Sequence, residues 1–270
     1  MPAAAKRPLA LITGASSGIG ESLSHCFAAA GHDLVLVARS VDKLQALARL
    51  QMDTQNVLAT VLPADLSEPQ SAAALAATLK RRRLVPDVLV NCAGVLEQRA
   101  FVAMKPAAHQ AIIDLNITAL TAMLAHFLPL MVRRGSGRVL NVASIAAFQP
   151  VPLLATYAAS KAYVLSLTES LSEELRGSGV TATALCPGIT ATKMLSAATA
   201  ANQQLGRLPG FMVGKVDDVA RQGFEACMRG DVICVPGGFN RAATLASRST
   251  PKWLLRRVSG LVARKSGSGG

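Results

Sequence analysis

The chain has 270 residues, 51% of them apolar and only 4% aromatic, a composition that suits one large α/β domain and excludes a disordered or fibrous chain. Its net charge is +12, but Arg241, Arg248, Lys252, Arg256, Arg257, Arg264 and Lys265 are seven positive charges with no acid among them, and removing them leaves +5 on the body. That body lacks the basic and aromatic surface a nucleic-acid role needs.

Apolar runs read as too short for a membrane span of roughly 18–20 residues, and the N-terminus does not read as a secretory signal. The five cysteines (Cys26, Cys92, Cys186, Cys227, Cys234) include no CxxC. They read as reduced, buried thiols, and a cytoplasmic location is the default.

In chain order, apolar or β-branched runs predict strands at Leu9–Thr13, Asp33–Ala38, Val57–Leu62, Val88–Asn91, Arg138–Val142, Thr181–Leu185 and Val232–Val235. Helical patterns fall between them near 19–30, 41–51, 69–82, 106–131, 156–176 and 216–229. Continuous apolar strands alternating with helices predict a parallel sheet covered on both faces. Right-handed crossovers make it a Rossmann-type, doubly wound α/β sheet of about seven strands. One domain is expected over 1–239.

Within that domain, residues 190–214 follow a strand end without core periodicity. A substrate lid is expected there, with a peripheral helical excursion as the alternative. Its apolar residues, Met194, Leu195, Leu205, Leu208, Phe211 and Met212, suggest a hydrophobic substrate. Residues 240–265 read as a basic amphipathic extension, because Trp253, Leu254, Leu255, Val258, Leu261 and Val262 recur at helical spacing. The stretch 251–265 would cover a partner subunit, pack on its own domain, or touch an anionic membrane surface. Residues 266–270 are expected to be a disordered Gly/Ser tail.

Gly14, Gly18 and Gly20 sit between the first strand and the first helix. Glycines allow the sharp turn and close backbone approach that a pyrophosphate needs, and the helix N-terminus presents free N–H groups to the anion. No Lys-Ser/Thr follows, which argues against a P-loop. At the end of the second strand, where an acid on a ribose 2′-hydroxyl would mark NAD, the chain reads Val37-Ala38-Arg39-Ser40. Arg39 offers a charge-assisted fork to a 2′-phosphate and Ser16 a hydroxyl, so NADP(H) is expected, with NAD(H) as the alternative.

Tyr157 and Lys161 are four apart on a helical pattern and share a face. An ammonium there would favour phenolate and lower the tyrosine pKa, making an acid/base for neutral pH. The four histidines, His25, His32, His109 and His126, lack ligand spacing, and no metal site is expected.

With these residues the chain resembles the short-chain dehydrogenase/reductase family over about residues 8–239. The resemblance rests on Thr13-Gly-x-x-x-Gly-x-Gly20, Asp65 in Ala-Asp-Leu, Asn91-Cys-Ala-Gly94, Asn116, Ser144, Tyr157-x-x-x-Lys161 and Pro187-Gly188. It implies interconversion of a ketone and a secondary alcohol by direct hydride transfer. Tyr157 would exchange the proton, Ser144 would position the carbonyl oxygen, and Lys161 would hold the nicotinamide ribose. Asn116 would hold a water linking Lys161 to solvent.

The resemblance assigns the cofactor to Gly14, Ser16, Ser17, Gly18, Ile19, Gly20, Arg39, Asp65, Leu66, Asn91, Ala93, Gly94, Tyr157, Lys161, Pro187, Gly188, Ile189 and Thr192, with Thr190 competing with Thr192. Cys92 departs from the family's more usual second Asn. Within the class, 3-oxoacyl reductase and hydroxysteroid dehydrogenase are candidates; a non-catalytic dinucleotide-binding protein is the alternative from another class. A homodimer or homotetramer through 106–131 and 156–176 is also implied.

Overall fold

A computed structural model describes residues 7–191 and 213–249. Seven strands, β1 (Leu9–Thr13), β2 (Asp33–Ala38), β3 (Ala59–Pro63), β4 (Val88–Asn91), β5 (Gly137–Val142), β6 (Val180–Leu185) and β7 (Ile233–Cys234), pair in parallel in the order β3-β2-β1-β4-β5-β6-β7. The order reverses direction between β1 and β4. In such sheets the crevice at the strand carboxyl ends of that switch point is where a ligand binds.

Burial follows from position. Central β1 is buried along its whole length: Leu9 and Leu11 enter one core cluster, Ala10 and Ile12 the other. The first cluster lies under α3 (Ser71–Arg81), α5 (Leu120–Arg134) and α6 (Ala155–Glu174). The second lies under α1 (Gly18–Ala29), α2 (Val41–Gln55) and α7 (Val216–Arg229). Two more helices, α4 (Pro106–Ile113) before α5 and α8 (Gly238–Ser249) after β7, complete the described residues.

Four expectations are corrected. First, β3 starts at Ala59 instead of Val57, because Asn56 caps α2 in a left-handed conformation with φ 53° and Leu58 N–H is taken by the Asp33 carboxylate. Second, β7 has two residues, since only Ile233 and Cys234 pair with β6. Third, Pro106–Arg134 is a continuous 29-residue helical stretch, and an 18-residue window within it is apolar enough, at mean hydropathy 1.7, to cross a bilayer. It passes that test because it flanks the sheet: Met123, Leu124, Phe127 and Met131 are core residues. Fourth, the domain does not end at 239. Helix α8 spans that boundary and packs on the short 3₁₀ turn Ile145–Phe148. Residues 250–270, including the apolar face of the expected extension, lie outside the described residues, as does most of the expected lid.

One buried group links the fold to pH. His32, 5% exposed between α1 and β2, meets Phe27 edge-on at 5.3 Å, and its Nδ1 is buried without a hydrogen-bond partner. Burial lowers its pKa. The stability this brings is present above the unfolded value near ~6.5 and is lost as pH falls through the folded value. The thermal midpoint is therefore expected to drop more steeply between pH 7 and 5 in the wild type than in His32→Leu. Equal slopes would remove His32 from the acid response.

Candidate active site

The loop from β1 into α1 is built for close approach. Gly14 has φ +69°, and a Cβ on Gly20 would lie 2.3 Å from the Gly14 carbonyl oxygen. No larger residue fits at Gly20 without moving that turn. The Ser17 hydroxyl makes no cap bond at the α1 N-terminus, where Gly18 begins the helix. Thr13, which sequence reasoning used only as a motif boundary, ties this loop to β4: its hydroxyl donates to Val90 O and accepts from the N–H groups of Cys92 and Ala93 at 3.0 and 3.1 Å. A dinucleotide's pyrophosphate fits such a backbone cradle at a helix N-terminus.

Arg39, expected at a 2′-phosphate, and Asp65, assigned to the cofactor by the resemblance, are brought together at 3.7 Å. Asp65 also accepts from Ser67 N and Oγ, and these bonds, ahead of Arg39, hold its carboxyl below the usual range. The Arg39 side chain is 72% exposed. Exposed pairs of this kind contribute about 0–1 kcal/mol, so a doubly charged phosphate can draw Arg39 away at small cost. Leu66 is a core side chain and Ile19 packs against the opposite core, leaving their backbones to face the crevice.

Asn91 is buried and donates to Asn141 Oδ1 at 2.9 Å; Asn141 in turn donates to Thr168. Burial pushes the Cys92 thiol up to about 12, so it stays neutral. Gly94 matters by absence of a side chain: a Cβ there would lie 3.2 Å from Asn116 Oδ1 and 3.5 Å from Lys161 Nζ.

Asn116 lies in a π turn, Asp114–Ala119, inserted between α4 and α5. Such bulges recur at functional sites because they redirect a side chain and loosen backbone bonds. Its amide donates to Val95 O and Ser160 Oγ at 3.0 and 3.1 Å and accepts from Val95 N at 2.9 Å. Ser160, missed in the sequence, donates to Tyr157 O at 2.7 Å and so joins Asn116 to the first turn of α6. Its place three residues after Tyr157 was the available signal.

Ser144 follows β5, caps the turn Ile145–Phe148 by accepting from Ala146 N at 3.1 Å, and acts on the Tyr157 phenol in the sense that favours its ionised form. Capping and carbonyl positioning are thus compatible roles for one hydroxyl. Lys161 Nζ stands 5.7 Å from the Tyr157 ring centroid and donates to Val142 O at 2.8 Å.

The expected depression of the tyrosine pKa is corrected. Burial raises the Tyr157 pKa, and the influence of Ser144 opposes it only in part. The ammonium is itself desolvated, which lowers the Lys161 pKa to about 8. A lysine that is itself desolvated and turned to the Val142 carbonyl does little for phenolate.

Past β6, Pro187 O accepts from Ile145 N at 2.9 Å, and Ile189 O from Gly214 N at 2.8 Å. Thr190 turns its hydroxyl back to Gly188 O at 3.0 Å. Thr192 lies outside the described residues. Asn240, at the start of α8 and unforeseen, packs so closely that a Cβ on Gly188 would sit 2.5 Å from its Nδ2.

The short chain dehydrogenase family model matches residues 8–203. An uncharacterized oxidoreductase of Staphylococcus saprophyticus is 33% identical over 186 residues, 69% of this chain and 80% of that protein. Among solved structures, a short-chain dehydrogenase from Sphingobium yanoikuyae in complex with NADPH superposes with TM-score 0.79 at 35% identity, covering 88% of this chain and 92% of that one. The bulky-bulky ketone specific alcohol dehydrogenase of Comamonas testosteroni gives TM-score 0.75 at 28% identity, covering 91% and 95%. The chain belongs to the short-chain dehydrogenase/reductase family of oxidoreductases.

Proposed function

We propose that the chain is an NADP(H)-dependent oxidoreductase that interconverts a hydrophobic ketone and its secondary alcohol, with Tyr157 as the acid/base. The observation that carries this reading is the convergence on the Tyr157 phenol of Ser144, which favours its ionised form, and Lys161, whose Nζ stands 5.7 Å from the same ring. Bound NADPH supplies the hydride. Tyr157, protonated at neutral pH because burial raises its pKa, gives its proton to the carbonyl oxygen. Ser144 hydrogen-bonds that oxygen and aims it at the phenol. Lys161, with a pKa near 8, exchanges a proton close to physiological pH. Both N–H donors of Asn116 are engaged by Val95 and Ser160, so its link to solvent runs through the backbone of the π turn.

NADP(H) preference is supported by Arg39, by the absence of an acid at Ala38, and by the NADPH held by the Sphingobium relative. The ketone preference of the Comamonas relative supports a bulky substrate. Residues Thr192 and 190–214 complete the proposed nicotinamide clasp and lid. A homo-oligomer would use the charge-poor face made by Ala125 and Pro129 of α5 and Ala159 and Tyr163 of α6, all exposed. Buried thiols such as Cys186 and Cys227 suit a reducing cytoplasm.

Arg39→Ala tests the cofactor assignment. Loss of one exposed charge-assisted contact is expected to weaken NADPH binding about tenfold, with little change for NADH. Calorimetric titration with both nucleotides measures this. Unchanged NADPH affinity, or a wild type that prefers NADH, would contradict it.

A further inference from the structure

The substrate side of Tyr157 holds an arrangement that the proton relay does not use. His109, on α4, bonds two segments at once: Nδ1 lies 2.7 Å from Thr156 Oγ1, and Nε2 lies 3.2 Å from Phe101 O. A carbonyl can only accept, so Nε2 donates to it, and Nδ1 pairs with the Thr156 hydroxyl. The imidazole also lies against the Phe101 ring, with centroids 4.3 Å apart and planes at 41°. Thr156 immediately precedes Tyr157 in the first turn of α6. One side chain therefore fixes the Phe101 segment relative to the reacting phenol.

A second tie joins the same region. Arg99 N donates to Leu153 O at 2.9 Å, and Leu153 sits at φ +68°, a conformation disfavoured for a residue with a Cβ. Strained backbone of this kind persists where surrounding contacts hold it, and it clusters at ligand sites. Phe101, Met104, Leu153, Leu154 and Tyr157 line a shallow recess that is open to solvent on one side. Its charges, Arg99 and Glu97, pair with each other at 3.6 Å and offer no net partner to an ion. Phe101 is 62% exposed although it stacks on His109, and an aromatic face presented in this way favours an offset flat ring.

We infer that His109 is a positioning residue for substrate selectivity: it clamps the Phe101 wall against the helix bearing Tyr157, and the recess takes a flat, uncharged ring attached to the reacting carbonyl. The inference rests on the carbonyl-reduction reading above.

The test compares acetophenone with butan-2-one, each reduced with NADPH by the wild type, His109→Ala, His109→Gln and Thr156→Val. The ratio of kcat/KM for acetophenone to that for butan-2-one is expected to fall about tenfold in His109→Ala, mainly through the acetophenone KM. Glutamine, whose amide spans a similar donor–acceptor pair, is expected to restore most of it. A ratio within about twofold of wild type in His109→Ala would overturn the inference, as would an equal loss on both ketones that glutamine does not repair. If His109→Ala does not fold, Thr156→Val, which deletes only the hydroxyl paired with Nδ1, is expected to lower the ratio about threefold, and no change there overturns the inference.

A wild type that reduces neither ketone defeats the carbonyl-reduction reading, and the inference is then read by saturation-transfer NMR of acetophenone with NADP-loaded protein. A signal present in the wild type and lost in His109→Ala supports it. No signal in the wild type, or the same signal in both, overturns it.

Discussion

Tyr157→Phe is expected to lower kcat for ketone reduction about a thousandfold, within the range that general acid–base groups contribute. The substitution removes one oxygen and leaves the ring, so packing against Lys161, 5.7 Å from the ring centroid, is retained. Ser144 cannot take over, because an aliphatic hydroxyl is a far weaker acid than a phenol and this one already serves the turn at Ala146. NADPH affinity and the thermal midpoint are expected to change little, which separates lost proton transfer from lost structure. Stopped-flow absorbance of the nicotinamide band measures the rate. A variant that keeps more than about a tenth of wild-type kcat would remove Tyr157 from the role of acid.

Lys161→Met is expected to abolish activity and yet raise the thermal midpoint by a few degrees. Lys161 is 6% exposed, and burial lowers its pKa from 10.5 to about 8. That difference corresponds to roughly 3 kcal/mol of disfavoured charge at neutral pH. Methionine removes the charge in a side chain of similar shape but leaves Val142 O without its donor, a loss of about 1–2 kcal/mol. The net gain of roughly 1–2 kcal/mol amounts to a few degrees in a chain of this size.

The sign in pH follows from the same group. In the wild type the unfolded lysine binds its proton more tightly than the folded one, so stability rises as pH climbs from about 8 toward 10.5. In Lys161→Met that part of the rise is expected to vanish. A midpoint lowered at every pH would show that the ammonium holds the fold together instead of burdening it.

Much of this was legible in the chain because it is written in local chemistry. β1, β2 and β4 matched their apolar runs residue for residue, since a central parallel strand is buried on both faces and leaves no ambiguity of period. The site was legible wherever a residue type has few other uses, as with Gly20 beneath the Gly14 carbonyl. Legibility ended where meaning depends on a distant partner. Thr13, Ser160 and Asn240 act through residues up to 80 positions away or through a turn not yet placed. Four-residue spacing brought Lys161 to the Tyr157 ring, but the sign of the tyrosine shift was set by how deeply both groups are buried. Spacing carries no measure of that. Nor did the helical pattern at 106–131 reveal the π turn Asp114–Ala119 that interrupts it and carries Asn116.

The most direct measurement of the central claim follows one atom. The protein is supplied with acetophenone and NADPH carrying deuterium at both nicotinamide C4 positions, and the alcohol is analysed by mass spectrometry and chiral chromatography. Wild-type protein is predicted to give an alcohol with one deuterium on its carbinol carbon and one enantiomer in excess, and Tyr157→Phe almost none. An alcohol without deuterium, or an equal yield from the Tyr157→Phe variant, would contradict a direct reduction in which Tyr157 delivers the proton.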